Sequence, residues 1–152
     1  YPHVAILGRV KNSQEFRNLG RSDDLTTWEN LLILRIDAPY AFINIQTIKE
    51  RIIKEAARDK ENLTHVVLDA SSVSYVDATA IQGLKELIVE LSEMEVQLVL
   101  TSVIGPVRDS FHQNGIFNEI GTNIFLNTHQ AIKSLTGEPV ELHYEQAIQV
   151  NS

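Results

Sequence analysis

Apolar residues recur along this chain with a period near two in some segments and near 3.6 in others, and the two kinds of segment alternate. His3 to Val10 carries Val4, Ile6 and Val10 on one side and predicts a first strand. Lys11 to Glu29 is polar, rich in Asn, Ser and Asp, and predicts a long loop with at most a turn of helix. Leu31 to Asp37 predicts a second strand, interrupted by Pro39, which cannot donate to a sheet ladder; Tyr40 to Ile43 resumes extended backbone. Asn44 then stands where a helix N-cap belongs, and Ile45, Ile48, Ile52, Ile53 and Ala56 follow at helical spacing to about Arg58. His65 to Asp69 is short and apolar and predicts a central strand buried on both faces. Ser71 to Ala78 predicts a loop with small apolar interludes at Val73, Tyr75 and Val76.

Thr79-Ala80-Ile81-Gln82 matches a capping box, so a second helix is expected to open at Thr79. Ile81, Leu84, Ile88 and Leu91 mark its buried face, and it ends near Met94. Gln97 to Thr101 predicts another strand. Gly105-Pro106 opens a third helix with proline in the tolerated first turn, and Gly115 stops it. Ile124 to Leu126 predicts a short last strand, and Thr128 is expected to cap a last helix through about Leu135. The resulting order, β-β-α-β-α-β-α-β-α, predicts an α/β fold: a mixed sheet of about five strands, largely parallel after the first hairpin, with four to five helices packed on it. Residues 1–135 are expected to form one domain and residues 136–152 an irregular tail.

Composition narrows the function classes. A length of 152 residues fits one domain of ordinary size, and 43% hydrophobic with 22% charged residues is a globular balance. The absence of cysteine removes disulfides, thiol catalysis and thiolate metal sites together. A net charge of −7 argues against nucleic acid as a partner and against adhesion to anionic lipid. The longest purely apolar run, Leu31 to Leu34, falls far short of the roughly 20 residues that cross a bilayer. The chain opens at Tyr1 without methionine, and a domain cut from a longer polypeptide is the expectation.

Catalytic signatures are sparse. The seven glycines are scattered and build no phosphate cradle, and the five histidines show no paired metal-ligand spacing. Ser71, Ser72 and Ser74 lie near His65 in sequence, but no nucleophile elbow accompanies them. Asp69 at a strand end invites comparison with a phosphoaccepting receiver aspartate. Arg9, Lys11 and Asn12 stand around the end of the first strand where further acids would be needed, so a carboxylate accepting loop N–H bonds is the better reading. The helix N-termini near Thr79 and Gly105 would suit a phosphate, as such termini do in any α/β protein. No enzyme activity, cofactor or metal is expected.

Two stretches carry a family likeness. Leu68-Asp69-Ala70-Ser71-Ser72-Val73-Ser74-Tyr75-Val76-Asp77-Ala78-Thr79-Ala80-Ile81 resembles the signature loop of STAS domains, which sulfate transporters share with bacterial anti-sigma-factor antagonists. Leu32-Ile33-Leu34-Arg35-Ile36-Asp37-Ala38-Pro39-Tyr40-Ala41-Phe42-Ile43-Asn44 resembles a segment of the sulfate permease (SulP) transporters, a segment the soluble antagonists do not usually carry. Leu7-Gly8-Arg9 and the long polar insertion after it also look like the transporter branch.

The resemblance implies a C-terminal domain on the cytoplasmic side of the plasma (inner) membrane, attached to the last span of a secondary transporter for sulfate or a related small anion. Its implied role is folding, regulation and assembly. The implied partners are the transmembrane part of the same protein, a second copy in a full-length homodimer, and a cytosolic regulatory protein. In the antagonists the loop matching Asp77-Ala78-Thr79-Ala80 reads Asp-Ser-Ser-Gly and its second serine is phosphorylated; Thr79 falls on that position. Asp77 and Thr79 are therefore the candidate switch, with Asp69, Ser71 and Ser72 supporting the loop. As a cap, Thr79 would contribute about 1 kcal/mol.

A free-standing antagonist competing for an anti-sigma kinase is the second reading. The Leu32 to Asn44 segment, the missing methionine and the replacement of Ser-Ser-Gly by Ala-Thr-Ala count against it. An enzyme of flavodoxin-like architecture is a third class, because fold alone does not fix function.

Overall fold

The computed structural model describes residues 4–22, 24–37, 44–58 and 61–138. The expectations for His3, Pro39, Tyr40 to Ile43 and the tail beyond Glu138 lie outside these residues.

Strands β1 (Val4–Val10), β2 (Phe16–Asn18), β3 (Leu25–Thr26), β4 (Leu31–Ile36), β5 (His65–Asp69), β6 (Gln97–Thr101) and β7 (Ile124–Phe125) form one sheet in the order β2-β1-β4-β5-β6-β7, with β3 also pairing to β1. β1 runs antiparallel to β4, with Val4 opposite Ile36 and Ile6 opposite Leu34. β4, β5, β6 and β7 are mutually parallel, and His65 lies beside both Leu31 and Gln97. Helices α1 (Ile45–Ala57), α2 (Ala78–Glu93), α3 (Gly105–Gln113), α4 (Ile116–Ile120) and α5 (Thr128–Thr136) complete the α/β architecture expected from the pattern.

Period-two alternation sends successive side chains to opposite faces of the sheet. Val4, Leu34, Ile36, Val66, Leu68, Leu98 and Leu100 enter the larger core, beneath α1 to α4. Ala5, Leu7, Leu31, Ile33, Val67 and Val99 enter a second core with Ala131 and Ile132 of α5. Leu34, Ile52, Leu84, Leu91 and Phe111 are completely buried. Each such side chain stabilises by roughly 1.5–3 kcal/mol, against about 1 kcal/mol for a helix cap, so packing rather than capping fixes the layers.

Where α1 crosses α2, Gly83 faces Ile45 so closely that a Cβ on Gly83 would lie 2.7 Å from Ile45 Cγ2. Beside the crossing, Lys49 Nζ donates to Glu86 Oε1 at 3.2 Å and to Glu90 Oε2 at 2.6 Å. The bond to Glu90, more than that to Glu86, raises the lysine's pKa. The bond from Lys49 is the main cause that lowers the pKa of Glu86.

Several local expectations are corrected. Residues 11–29 are not a plain loop: the Val10 N–H donates to the Glu15 carbonyl at 2.8 Å, closing a hairpin into β2, and β3 follows. These strands are two or three residues long, with one apolar side chain each, too short to show a period. Phe16 and Trp28 from this segment pack onto the second core, with the Arg9 guanidinium 4.9 Å from the centre of the Trp28 ring. Asn44 precedes α1 but its side chain makes no capping bond. Asn127, not Thr128, caps α5, accepting from the Gln130 N–H at 2.8 Å. Thr128 is buried instead, its hydroxyl 2.8 Å from that of Thr101. Gly115 does end the α3 segment, at φ +80°, and its left-handed backbone also starts α4, a five-residue helix that the pattern did not announce.

Candidate functional site

β5 delivers the chain to the carboxyl edge of the parallel strands, where residues 70–77 form the loop before α2. The Ala70 N–H donates to the Thr101 carbonyl and the Val73 N–H to the Ala70 carbonyl, both at 3.0 Å. Val73 and Val76 are buried in the larger core, so two apolar side chains pull the loop down while Tyr75 between them stands 71% exposed. Asp69 Oδ1 accepts from the Ser71 N–H at 2.8 Å, an Asx-type turn at the strand end. Ser71 is exposed and Ser72 half-buried.

The helix opens two residues earlier than the capping box on Thr79 suggests. Asp77 has extended backbone, its Oδ1 accepts from the Ala80 N–H at 2.8 Å, and its carbonyl accepts from the Ile81 N–H at 3.0 Å. Asp77 is therefore the N-cap of α2 and Ala78 its first residue. Thr79 sits in the first turn with its side chain exposed, and Gln82 turns away to donate to Glu86 Oε2 at 3.4 Å. The expected capping box on Thr79 does not form. A carboxylate accepts more strongly than a hydroxyl and suits the positive end of the helix, and Ala78 is a strong helix former, so the earlier start wins.

Parallel register sets Arg35, at the end of β4, beside Asp69. Arg35 Nε donates to Asp37, and that bond raises the guanidinium's pKa against the opposing effect of burial, with the charges of Asp37 and Asp69 adding to it. Arg35, Asp69, Gln14, Ser102, Asn127 and His129 line a cleft of about 320 Å³ at this edge. The sequence alone did not bring these residues together. The signal available was the equal offset of Arg35 and Asp69 from the starts of their strands, readable only once the parallel pairing is known. Among the described residues no group of three or more His, Asp or Glu side chains could hold a metal ion. No helix among them is long and apolar enough to cross a membrane.

This sheet order, with a capped helix following the loop after β5, defines the class. The family model of the STAS domain matches residues 24–131, and the chain belongs to that family. Among curated proteins, it is 33% identical over 142 residues to "Probable sulfate transporter 4.2" of Arabidopsis thaliana, covering 87% of this chain and 21% of that protein. It thus spans about a fifth of the length of the curated relatives it matches. Among solved structures, the murine Solute Carrier 26 family member A9 anion transporter in its inward-facing state superposes with a TM-score of 0.81 at 20% identity, over 91% of this chain and 23% of that one. The SulP transporter STAS domain from Vibrio cholerae superposes with a TM-score of 0.64 at 19% identity, over 79% and 91% of the two chains.

Proposed function

We propose that residues 1–135 are the cytoplasmic regulatory and assembly domain of a secondary transporter for sulfate or a related small anion, with residues 136–152 as a tail. The observation that carries this reading is the 142-residue likeness to a protein named as a sulfate transporter, of which this chain accounts for only 21%. Transport itself belongs to the membrane-embedded remainder of the full-length polypeptide. The domain supports homodimer assembly and receives a cytosolic regulatory protein.

Within that reading Asp77 and Thr79 form the switch, and Asp69, Ser71 and Ser72 hold its loop. Thr79 is exposed in the first turn of a 16-residue helix, where the positive helix end stabilises an added phosphate. The test is sulfate uptake by cells expressing the full-length polypeptide, with and without residues 1–135. Deletion is expected to lower uptake or surface abundance, and unchanged uptake with unchanged abundance refutes a regulatory or assembly role. Thr79→Glu is expected to change uptake where Thr79→Val does not; equal behaviour of the two removes the switch.

A further inference from the structure

Two opposite charges share the cleft between α5 and the first hairpin without closing on each other. Ile33 and Val67 face the second core, so Arg35 and Asp69, two residues further along the same strands, leave the sheet on that face as well. The two are in register on neighbouring strands, about 4.8 Å apart. Arg35 nevertheless makes its ion pair with Asp37, donating through Nε, and Asp69 Oδ1 accepts from the Ser71 N–H. The terminal N–H groups of the guanidinium and Asp69 Oδ2 are left to the cleft.

The surroundings suit a small ligand. The cleft measures about 320 Å³ and combines apolar surface from Leu7 and Phe16 with these two charged groups. Concave sites with apolar lining and a few convergent polar groups hold small molecules, and in α/β sheets such crevices open outside the carboxyl ends of the parallel strands. The hydroxyls of Thr101 and Thr128, 2.8 Å apart, tie the first turn of α5 to β6 and fix one wall. Ser102, another lining residue, holds left-handed backbone at φ +59°, a strain that persists only where the surrounding structure imposes it.

Charge selects the ligand class. His129 is the one further titratable group that lines the cleft; Arg21 and Arg108, at the same edge of the sheet, do not line it. A simple anion would meet Arg35 but face Asp69, with Asp37 behind the guanidinium, and like charges so placed are costly. A simple amine would meet Asp69 and leave the guanidinium bare. A molecule carrying a carboxylate and an ammonium on one carbon meets both, the carboxylate on the planar fork of Arg35.

We propose that this cleft binds a free α-amino acid with an apolar side chain. Its carboxylate lies on Arg35, its ammonium on Asp69, and its side chain against Leu7 and Phe16. The site goes beyond the transporter reading and does not depend on it. Because Asp69 also holds the Ser71 N–H, an occupant of the cleft bears directly on the loop that leads to Thr79.

NMR titration of the 15N-labelled 152-residue chain tests this, with the amides of Ser71 and Ser102 as reporters. L-Leucine, L-methionine and L-phenylalanine are the probes. N-Acetyl-L-leucine lacks the ammonium, L-leucinamide lacks the carboxylate, and sodium sulfate and ethylamine each offer one charge alone. Saturable shifts with at least one of the three amino acids are expected, and both leucine derivatives should bind about tenfold more weakly than L-leucine or worse. Asp69→Asn keeps an acceptor for the Ser71 N–H, and should weaken the amino acids by a similar factor while leaving N-acetyl-L-leucine unchanged. No saturation with any of the three amino acids, equal binding of either derivative, or saturation by sulfate or ethylamine at an equal or lower concentration overturns the assignment. The derivatives are compared on the unsubstituted chain, so a variant that fails to fold does not blunt the test.

Discussion

Replacing Asp77 and Thr79 separately decides which residue holds the start of α2. In Asp77→Ala the Ala80 N–H loses its acceptor at 2.8 Å, while Val73 and Val76 stay buried and keep the loop in place. Loss of an N-cap costs about 0.5–2 kcal/mol, and loss of a carboxylate at the positive helix end about 0.3–1 kcal/mol. Both figures describe the same group, so a total of about 1–2 kcal/mol is expected. Asp77→Asn keeps an acceptor and loses only the charge, and falls at the lower end. Thr79→Ala removes an exposed side chain from a first turn it does not cap, and alanine is the better helix former by up to about 0.7 kcal/mol, so that variant is neutral or slightly stabilised. Urea unfolding measures the difference. With a slope of about 2 kcal/mol per molar, Asp77→Ala lowers the midpoint by about 0.5–1 M at unchanged slope, and Thr79→Ala does not lower it. A loss in Thr79→Ala as large as that in Asp77→Ala would refute the assignment of the cap. The outcome bears on function, because a threonine dispensable for stability can be varied in transport assays without unfolding the domain.

Two further outcomes follow from the packing. Gly83→Ala gains about 1 kcal/mol of helix propensity but sets a Cβ against Ile45, an overpacking cost of about 1–3 kcal/mol, so a net loss of about 0–2 kcal/mol is expected in urea unfolding. In an Ile45→Ala background the same substitution should stabilise, and absence of that coupling would show that the two side chains do not compete for the space. Burial lowers the pKa of His65 below its ordinary 6.5, so the unfolded chain binds this proton more readily than the folded one. Stability is then lost as pH falls from about 6.5 towards the folded-state value. Tm measured between pH 7.5 and 5.5 should fall less in His65→Gln than in the native chain, and parallel curves would remove His65 as the cause.

Legibility from the sequence followed from how each element is stabilised. β5 and β6, buried on both faces, and α1 and α2, each with an apolar stripe, declare themselves because burial dictates residue type at every position that matters. β2, β3 and α4 were not legible: they are two to five residues long, held by pairing and by the left-handed Gly115, and too short for any period to emerge. Caps failed for a related reason. Asp77-Ala-Thr and Asn127-Thr each offer two side chains able to cap, and only the final course of the backbone chooses between them. The loop after β5 was legible as a motif, but the neighbourhood of Arg35, Asp69 and His129 depends on parallel register and on the placement of α5.

The polar insertion ties these points together. α1 to α4 all pack on one face of the sheet, and among the described helices only the nine residues of α5 lie on the other. One helix of that length, about 14 Å, cannot cover Leu7, Leu31, Ile33, Val67 and Val99 across four strands. Phe16 and Trp28 complete the cover, and Arg9 joins the two halves by lying over Trp28 while pairing with Glu138, just beyond α5, at 3.3 Å. Residues 11–29, which read as a loop, are thus the second wall of the smaller core. Their removal would expose apolar surface of β1 and β4, Leu7, Leu31 and Ile33 among it. A segment that looks expendable by composition therefore completes the cover of the smaller core.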